Sequence, residues 1–229
     1  ENLKFMFNYQ FGHMFWRYFM WNFSGRQNDT QGNFYDGYKD GNWVTGIEAI
    51  DKTKNEQLEE VPPSLKNVLT HNNYYMLPFI LGIMGMVYQL RKDKRGFAVV
   101  LTLFLFMGIM NIINMNQPPT EPRERDYAYA GSFYAFAIWC GLGVAAITDL
   151  MKKYLKVDHV VATAAVSLLC LLVPIQMGSQ NWDDHDRSNR YTCRDFGQNY
   201  LMTLQDKGNP IIFTNGDNDT FPLWYNQDV

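Results

Sequence analysis

Residues 97–115 read FAVVLTLFLFMGIMNIINM, a stretch without a single charged side chain. A helix needs about 20 largely apolar residues to cross the hydrocarbon core of a bilayer. A helix of a soluble protein buries only one face and normally carries charges on the opposite face. This stretch therefore predicts a membrane-spanning helix, and it decides how the rest of the chain is interpreted.

Three further apolar blocks accompany this one, and their interiors carry no charged side chain apart from Asp149 near one end. A soluble alternative, with four buried helices, fits poorly because buried helices of soluble proteins usually keep one charged face. The predicted fold class is therefore an all-α polytopic membrane protein. A four-helix transmembrane bundle is predicted over residues 74–177, with spans at residues 74–90, 97–115, 127–150 and 159–177.

The short connections between the predicted spans indicate their direction. Residues 91–95 read RKDKR and residues 151–156 read MKKYLK, and both connections belong to the same side of the bundle. Because Lys and Arg concentrate in cytoplasmic loops, this side is predicted to face the cytoplasm. Residues 1–73, 116–126 and 178–229 are then expected outside, in the periplasm beside the bacterial inner membrane.

The N-terminal outer region, residues 1–73, is expected to contain an aromatic helix followed by a loop. Ten aromatic side chains occur between Phe5 and Phe23. An aromatic and partly polar segment is typical of a helix lying in the membrane interface. The alternative is the end of an upstream membrane helix, because the chain begins with Glu1 and both of its ends are expected to be cuts in a longer protein.

The C-terminal outer region, residues 178–229, is predicted to be the start of a periplasmic domain of α/β or helical-repeat type. Capping and turn residues mark the expected element boundaries. The expected elements are a helix capped by Ser188 or Asn189 and running to about Gln205, a short buried strand at residues 211–213, and a second helix capped by Asp219 or Thr220.

The composition excludes several classes of function. The net charge is −3 at pH 7, which gives no electrostatic support for nucleic-acid binding, so no nucleic-acid partner is expected. Cys140, Cys170 and Cys193 form neither a CxxC pair nor a Cys/His spacing typical of a metal site. We therefore assign no metal ligand and no resident cofactor.

Residues 122–127 read PRERDY at the outer end of the third predicted span. Arg123 and Arg125 would lie at the depth of a lipid headgroup, and guanidinium groups bind phosphate through paired donors. Glu124 and Asp126 would hold the two guanidinium groups in place. The alternative is an interface anchor whose ion pairs satisfy one another.

Residues 182–187 read WDDHDR, just after the fourth predicted span. Asp183, Asp184, His185 and Arg187 are candidate substrate-binding residues, because clustered carboxylates and an imidazole bind cations or move protons near neutral pH. The alternative is a solvated turn that caps the following helix.

Gly141, Gly143 and Ala146 form a run of small residues within the third predicted span. Their spacing matches the GxGxxA pattern of dinucleotide-binding turns, but no strand precedes it. Small residues in a membrane helix allow a neighbouring helix to approach closely. The run therefore predicts a tight helix–helix contact.

Four longer strings are distinctive when taken together. They are FWRYFMWNFSGRQND at residues 15–29, PRERDYAYAGSFY at residues 122–134, NWDDHDRSNR at residues 181–190 and FTNGDNDTFP at residues 213–222. These strings resemble a family of bacterial envelope membrane proteins of unknown function. That family is related to the eukaryotic protein O-mannosyltransferase-like membrane proteins.

The resemblance implies a type C glycosyltransferase, a multi-span enzyme that takes a sugar from a polyprenyl-phosphate carrier at the outer membrane surface. The implied partners are membrane lipid, the polyprenyl-phosphate sugar and a protein acceptor. The catalytic carboxylate of such enzymes usually lies in the first outer loop, which is expected upstream of this chain, so no catalytic residue is assigned.

Under this hypothesis Arg123 and Arg125 hold the donor phosphate and Asp126 orients one of them. The segment from Asp183 to Arg190 is expected to line the acceptor cleft. The alternative hypothesis is a non-enzymatic envelope scaffold or assembly factor whose outer domain binds partner proteins.

Overall fold

Helices make up most of the residues that the structure describes. The structure is a computed structural model, and it describes residues 1–30, 34, 41–54, 70–121, 124–155, 158–204 and 208–229. The chain divides into two compact units, residues 1–184 and residues 185–229. All four predicted spans belong to the first unit.

The first unit begins with a long helical segment, α1, over residues 2–23, whose middle part, Phe5–Arg17, is π-helical. Strand β1 (Gly25–Arg26) follows α1 directly. A short helix, α2 (Glu48–Lys54), comes next in the sequence. Strand β2 (Asn72–Asn73) then pairs antiparallel with β1. This small sheet joins the end of α1 to the chain just before the bundle.

Four bundle helices follow: α3 (Leu77–Lys92), α4 (Lys94–Met115), α5 (Ala130–Leu155) and α6 (His159–Gln180). Within the described residues, three of these helices are long and apolar enough to cross a membrane: α4, α5 and α6. For α5 the length includes the 3-10 turn that leads into it, Asp126–Tyr129. α3 has 16 residues, fewer than the roughly 20 that a span normally needs. Three of the four predicted spans are thus supported by helix length and composition. The remaining one, the first predicted span at residues 74–90, stays a prediction.

The start of α3 differs from the predicted start of the first span. Tyr74, Tyr75 and Met76 precede the helix, and the last two adopt positive φ angles of 54° and 57°. The backbone N–H of Tyr74 donates to the carbonyl of Ser24 at 3.1 Å, so the end of α1 holds this stretch outside the helix. Pro78 then suits the first helical turn, where a backbone N–H would have no helical partner.

α3 and α5 approach each other so closely that their contact requires glycine. A Cβ atom on Gly143 would lie 2.3 Å from the carbonyl oxygen of Leu81, and one on Gly85 would lie 1.8 Å from that of Trp139. A Cβ atom on Gly141 would have no neighbour within 4 Å. The tight contact predicted from the small residues is therefore confirmed at Gly143 and not at Gly141.

A Gly143→Leu variant is expected to lose at least about 1–3 kcal/mol of stability, because the new side chain must displace the backbone of α3. Thermal unfolding in detergent measures the loss. The matched control is Gly141→Leu, which adds the same side chain two residues away toward open space. Equal unfolding temperatures for the two variants would contradict the close contact between α3 and α5.

α1 packs its aromatic side chains against the bundle. Phe19 is 2% exposed, and its ring lies 6.2, 5.8 and 4.8 Å, centre to centre, from those of Phe79, Phe104 and Phe136. These rings belong to α3, α4 and α5, and all three meet Phe19 edge to face, a favoured arrangement for aromatic pairs. α1 is thereby fixed against three bundle helices, while its position relative to a bilayer stays a prediction.

Helix α7 (Trp182–His185) lies at the sequence boundary between the units, and the C-terminal unit contains α8 (Thr192–Met202) and α9 (Asp217–Asp228). The strand predicted at residues 211–213 is wrong, since this stretch is irregular and Phe213 is 87% exposed. A short strand-prone run needs a partner strand, and the described part of this unit provides none. In its described residues the unit is helical rather than α/β.

α8 begins at Thr192, later than the predicted start at Ser188 or Asn189. Asn189 has a positive φ of 60°, and the Asp186 side chain accepts the backbone N–H of Ser188 at 2.8 Å. These two features form a turn, and the helix starts after it. The alternative interpretation placed a capping turn at residues 182–187, whereas Trp182–His185 form a short helix and Tyr191, the N-cap of α8, makes no side-chain cap hydrogen bond. α9 begins at Asp217, two residues before the predicted position.

Candidate functional site

The described residues of the predicted phosphate-binding motif do not form one cluster in the structure. Arg123 lies outside the described residues. Arg125 is exposed, and its Nε lies 3.6 Å from a carboxylate oxygen of Glu121. Glu124 and Asp126 instead line a pocket with residues of α1. The neighbours of the motif therefore come largely from a distant part of the sequence.

Glu124 is held by two side chains of α1. One carboxylate oxygen accepts a hydrogen bond from Nη2 of Arg17 at 2.6 Å, and the other lies 3.0 Å from Nε2 of His13. Burial would raise the pKa of Glu124, but the hydrogen bond from His13 and the positive charge of Arg17 outweigh burial and bring the pKa below its ordinary value. Glu124 is therefore ionised at neutral pH.

Arg17 uses all three nitrogen atoms of its guanidinium group. Nε donates to the carbonyl of His13 at 3.0 Å, Nη1 to the carbonyl of Gly41 at 2.7 Å, and Nη2 to Glu124. Arg17 thus joins α1, the chain at Gly41 and the chain before α5. Because Glu124 neutralises its charge at close range, Arg17 contributes little positive potential for an anionic ligand.

These residues border a pocket of about 280 Å³. Pockets for drug-sized ligands are typically about 300–1,000 Å³, so this pocket has room for one small group, such as a single sugar ring. Its acidic excess favours a neutral or positively charged group. The described lining includes the carboxylates of Asp29, Glu124 and Asp126, the guanidinium of Arg17, and the aromatic rings of Tyr18, Trp21 and Tyr127.

Asp126 is a half-buried carboxylate that forms no ion pair within the described part of the chain. Its Oδ1 accepts the backbone N–H of Tyr127 at 2.9 Å. Burial, followed by the charge of nearby Asp126, raises the pKa of Tyr18 to about 12. Tyr18 therefore stays protonated at neutral pH.

A second polar cluster surrounds Arg26, the last residue of β1. Arg26 is 6% exposed, forms an ion pair with Asp184 and donates a hydrogen bond to Asn181. Its guanidinium carbon lies 4.8 Å from the ring centre of Trp21. The Asn72 amide, placed with its oxygen toward the guanidinium, accepts further hydrogen bonds from Arg26. The cluster thus links Trp21, a wall of the pocket, to the end of α6.

The residues predicted to line an acceptor cleft lie in different surroundings. Asp183 and Asp184 are half-buried in the first unit, where Asp184 pairs with Arg26. His185 and Arg187 belong to the C-terminal unit and are exposed. The structure gives Asp184 a partner that fixes the first unit, and substrate binding by these four residues stays a prediction.

An apolar groove of about 550 Å³ lies between α3, α5 and α6. Phe23 lines this groove, and Trp21 lines the polar pocket, so both cavities reach the last turn of α1. Most of the groove is formed by small or apolar side chains, among them Leu81, Ala137, Cys140, Gly141, Cys170 and Pro174.

The sequence did not identify His13, Arg17 and Arg26 as members of polar clusters. They lie within or just after the aromatic run of α1, where a charged side chain needs a partner. That placement is the signal that could have marked them. Their partners could not be read from the same stretch, because Glu124 is 107 residues from Arg17 and Asp184 is 158 residues from Arg26.

Comparison with known proteins gives one match, in the C-terminal unit. The family model described as TMEM260-associated domain 2 matches residues 193–229, a range that includes α9 and nearly all of α8. Neither the curated proteins nor the solved structures that were compared include a match to the chain.

Proposed function

We propose that the protein transfers a sugar from a polyprenyl-phosphate donor to a protein acceptor. The observation that carries this proposal is the pocket of about 280 Å³ that is lined by the carboxylates of Asp29, Glu124 and Asp126. A sugar carbon that is losing its leaving group develops positive charge. Fixed carboxylates around that carbon stabilise the charge in the transition state. The sequence resemblance to type C glycosyltransferases supports the same reaction.

Asp126 is the proton acceptor in this proposal. The acceptor hydroxyl oxygen forms a bond to the anomeric carbon of the sugar while the bond from that carbon to the donor phosphate oxygen breaks. The hydroxyl proton passes to the Asp126 carboxylate, and the electron pair of the broken bond stays on the polyprenyl phosphate. Asp126 suits this role because it faces the pocket without an ion pair in the described residues.

The donor phosphate is assigned to the rim rather than to the interior of the pocket. An acidic interior repels phosphate, whereas Arg125 is exposed and its contact with Glu121, at 3.6 Å, is easily exchanged. Arg123 is included by its place in the sequence. The apolar groove between α3, α5 and α6 supplies a path for the lipid tail, because it reaches the same turn of α1 as the pocket.

The proposed setting is the bacterial inner membrane, with the pocket on the periplasmic side. The basic connections at residues 91–95 and 151–156 then face the cytoplasm. α3 completes the set of four spans, although it has only 16 residues. A short helix can cross a bilayer because the bilayer thins locally and flanking basic side chains extend to the headgroups. The C-terminal unit is placed in the periplasm.

Replacing Arg123 and Arg125 together by Ala is expected to reduce sugar on envelope proteins, because the donor phosphate loses its cationic partners. The measurement is the intact mass of envelope glycoproteins from cells that carry the variant at normal abundance. Lys52→Ala is the matched control, since it removes an exposed charge that pairs with Glu48 on the surface of α2. Unchanged glycoprotein masses in the double variant would remove the phosphate-binding role.

A further inference from the structure

The C-terminal unit contains a cleft of its own, about 550 Å³ in volume, between α8 and α9. Tyr191, Phe221 and Tyr225 line it and remain 51%, 57% and 50% exposed. Apolar surface that stays clustered and open to water commonly marks a binding surface. Among the described residues, the lining of this cleft and that of the pocket in the first unit have no member in common.

Contacts between the two helices fix the shape of this cleft. A Cβ atom on Gly197 of α8 would lie 2.5 Å from the carbonyl oxygen of Pro222 in α9, so the two backbones touch. The side chain of Asn226 donates to the carbonyls of Arg194 and Pro222 at 3.0 and 2.7 Å. The aromatic rings are therefore presented by a preformed support rather than by mobile segments.

The charged groups of the cleft largely cancel one another. Arg194 stacks on Tyr191 with its guanidinium carbon 4.4 Å from the ring centre, and its Nη2 lies 2.7 Å from the carboxylate of Asp195. Arg190 shares the lining with Asp217. A site for a strongly anionic ligand would leave its guanidinium groups without carboxylate neighbours. The Arg194–Asp195 pair and the presence of Asp217 in the lining therefore argue against such a ligand.

We propose that this cleft binds a neutral carbohydrate chain. Sugar hydroxyls both donate and accept hydrogen bonds, which matches a wall that combines guanidinium donors, the Asp217 carboxylate and the amide of Asn218. The C–H face of a sugar ring is apolar and packs flat on exposed aromatic rings such as Phe221 and Tyr225. The proposed role of this cleft is to hold a glycan, without a chemical step. This inference does not depend on the proposed sugar transfer.

The test is binding of neutral oligosaccharides to the intact protein in detergent. The probes are mannose-, glucose- and galactose-containing trisaccharides at millimolar concentration, and saturation-transfer NMR reports their contact with the protein. At least one probe is expected to bind, and a Tyr225→Ala or Phe221→Ala variant should bind it at least about tenfold more weakly, as for loss of a central aromatic contact.

The matched control is Tyr200→Ala, which removes a tyrosine of α8 that lies outside the cleft and stacks on Phe196. It is expected to bind the probe as the unaltered protein does. An acidic peptide serves as the competing class of ligand. Failure of all three neutral probes, equal losses in the Tyr200 and Tyr225 variants, or binding of the acidic peptide alone would overturn the proposal.

Discussion

An Asp126→Asn variant is expected to slow sugar transfer by about 10²–10⁴-fold, the range typical for loss of a general base. Asparagine keeps the shape of the side chain and can still accept the backbone N–H of Tyr127, but it cannot take up the acceptor proton. The change also removes one negative charge from around the reacting carbon. The measurement is the rate of sugar transfer at saturating donor.

Glu48→Gln is the matched control for this substitution. Its carboxylate is 81% exposed and pairs with Lys52 on the surface of α2, so its loss is expected to leave the rate unchanged. Unfolding temperatures of both variants establish that the proteins are folded. An Asp126→Asn protein that transfers sugar at the normal rate would remove Asp126 from the mechanism.

An Arg26→Met variant is expected to lose about 3–5 kcal/mol of stability, because it leaves the carboxylate of Asp184 buried without its cation. The side chains of Arg26 and Asp184 are only 7% and 13% exposed, so water compensates little. The cation–π contact with Trp21 is lost as well. Thermal or denaturant unfolding in detergent measures the effect.

The double variant Arg26→Met with Asp184→Leu separates the ion pair from the rest of the cluster. Replacing both partners of a buried pair by apolar side chains costs far less than removing one, so the double variant should recover part of the lost stability. Lys52→Met, at an exposed pair, should cost less than about 1 kcal/mol. Additive losses in the double variant would contradict direct coupling between Arg26 and Asp184.

The bundle could be predicted from the sequence because a bilayer imposes a simple rule on helix length and composition. α4 illustrates this, since its apolar stretch at residues 97–115 lies within the observed helix, Lys94–Met115. The run of small residues in α5 also indicated a close helix contact, but the sequence did not show that Gly143, and not Gly141, makes it. For the polar pocket, the motif at residues 122–127 indicated only which end of the third predicted span the pocket adjoins.

The composition of the pocket could not be predicted, because it depends on contacts between distant parts of the chain. Glu124 was expected to pair with its sequence neighbours, yet its partners are His13 and Arg17. Nothing in the local pattern around residue 124 distinguishes these two arrangements. The strand expected at residues 211–213 failed for a related reason, since strand formation depends on a partner that the local sequence does not specify.

The pocket therefore changes the role given to the motif at residues 122–127. The sequence placed a phosphate among its arginines, with the carboxylates as supports. The structure places Glu124 and Asp126 at a small acidic pocket and leaves Arg125 exposed. In the proposed reaction the sugar then lies in the pocket, and the phosphate bonded to its anomeric carbon lies at the rim.

The most direct test of the proposed reaction is transfer of labelled sugar by the protein purified from its native membrane. The protein is mixed with a polyprenyl-phosphate hexose that is labelled in the sugar. The acceptors are envelope proteins from cells in which the gene for this protein has been deleted. The account predicts that label moves onto protein, that polyprenyl phosphate is released in equal amount, and that Asp126→Asn stops both. Binding of the envelope proteins without any movement of label, the behaviour of a scaffold, would contradict it.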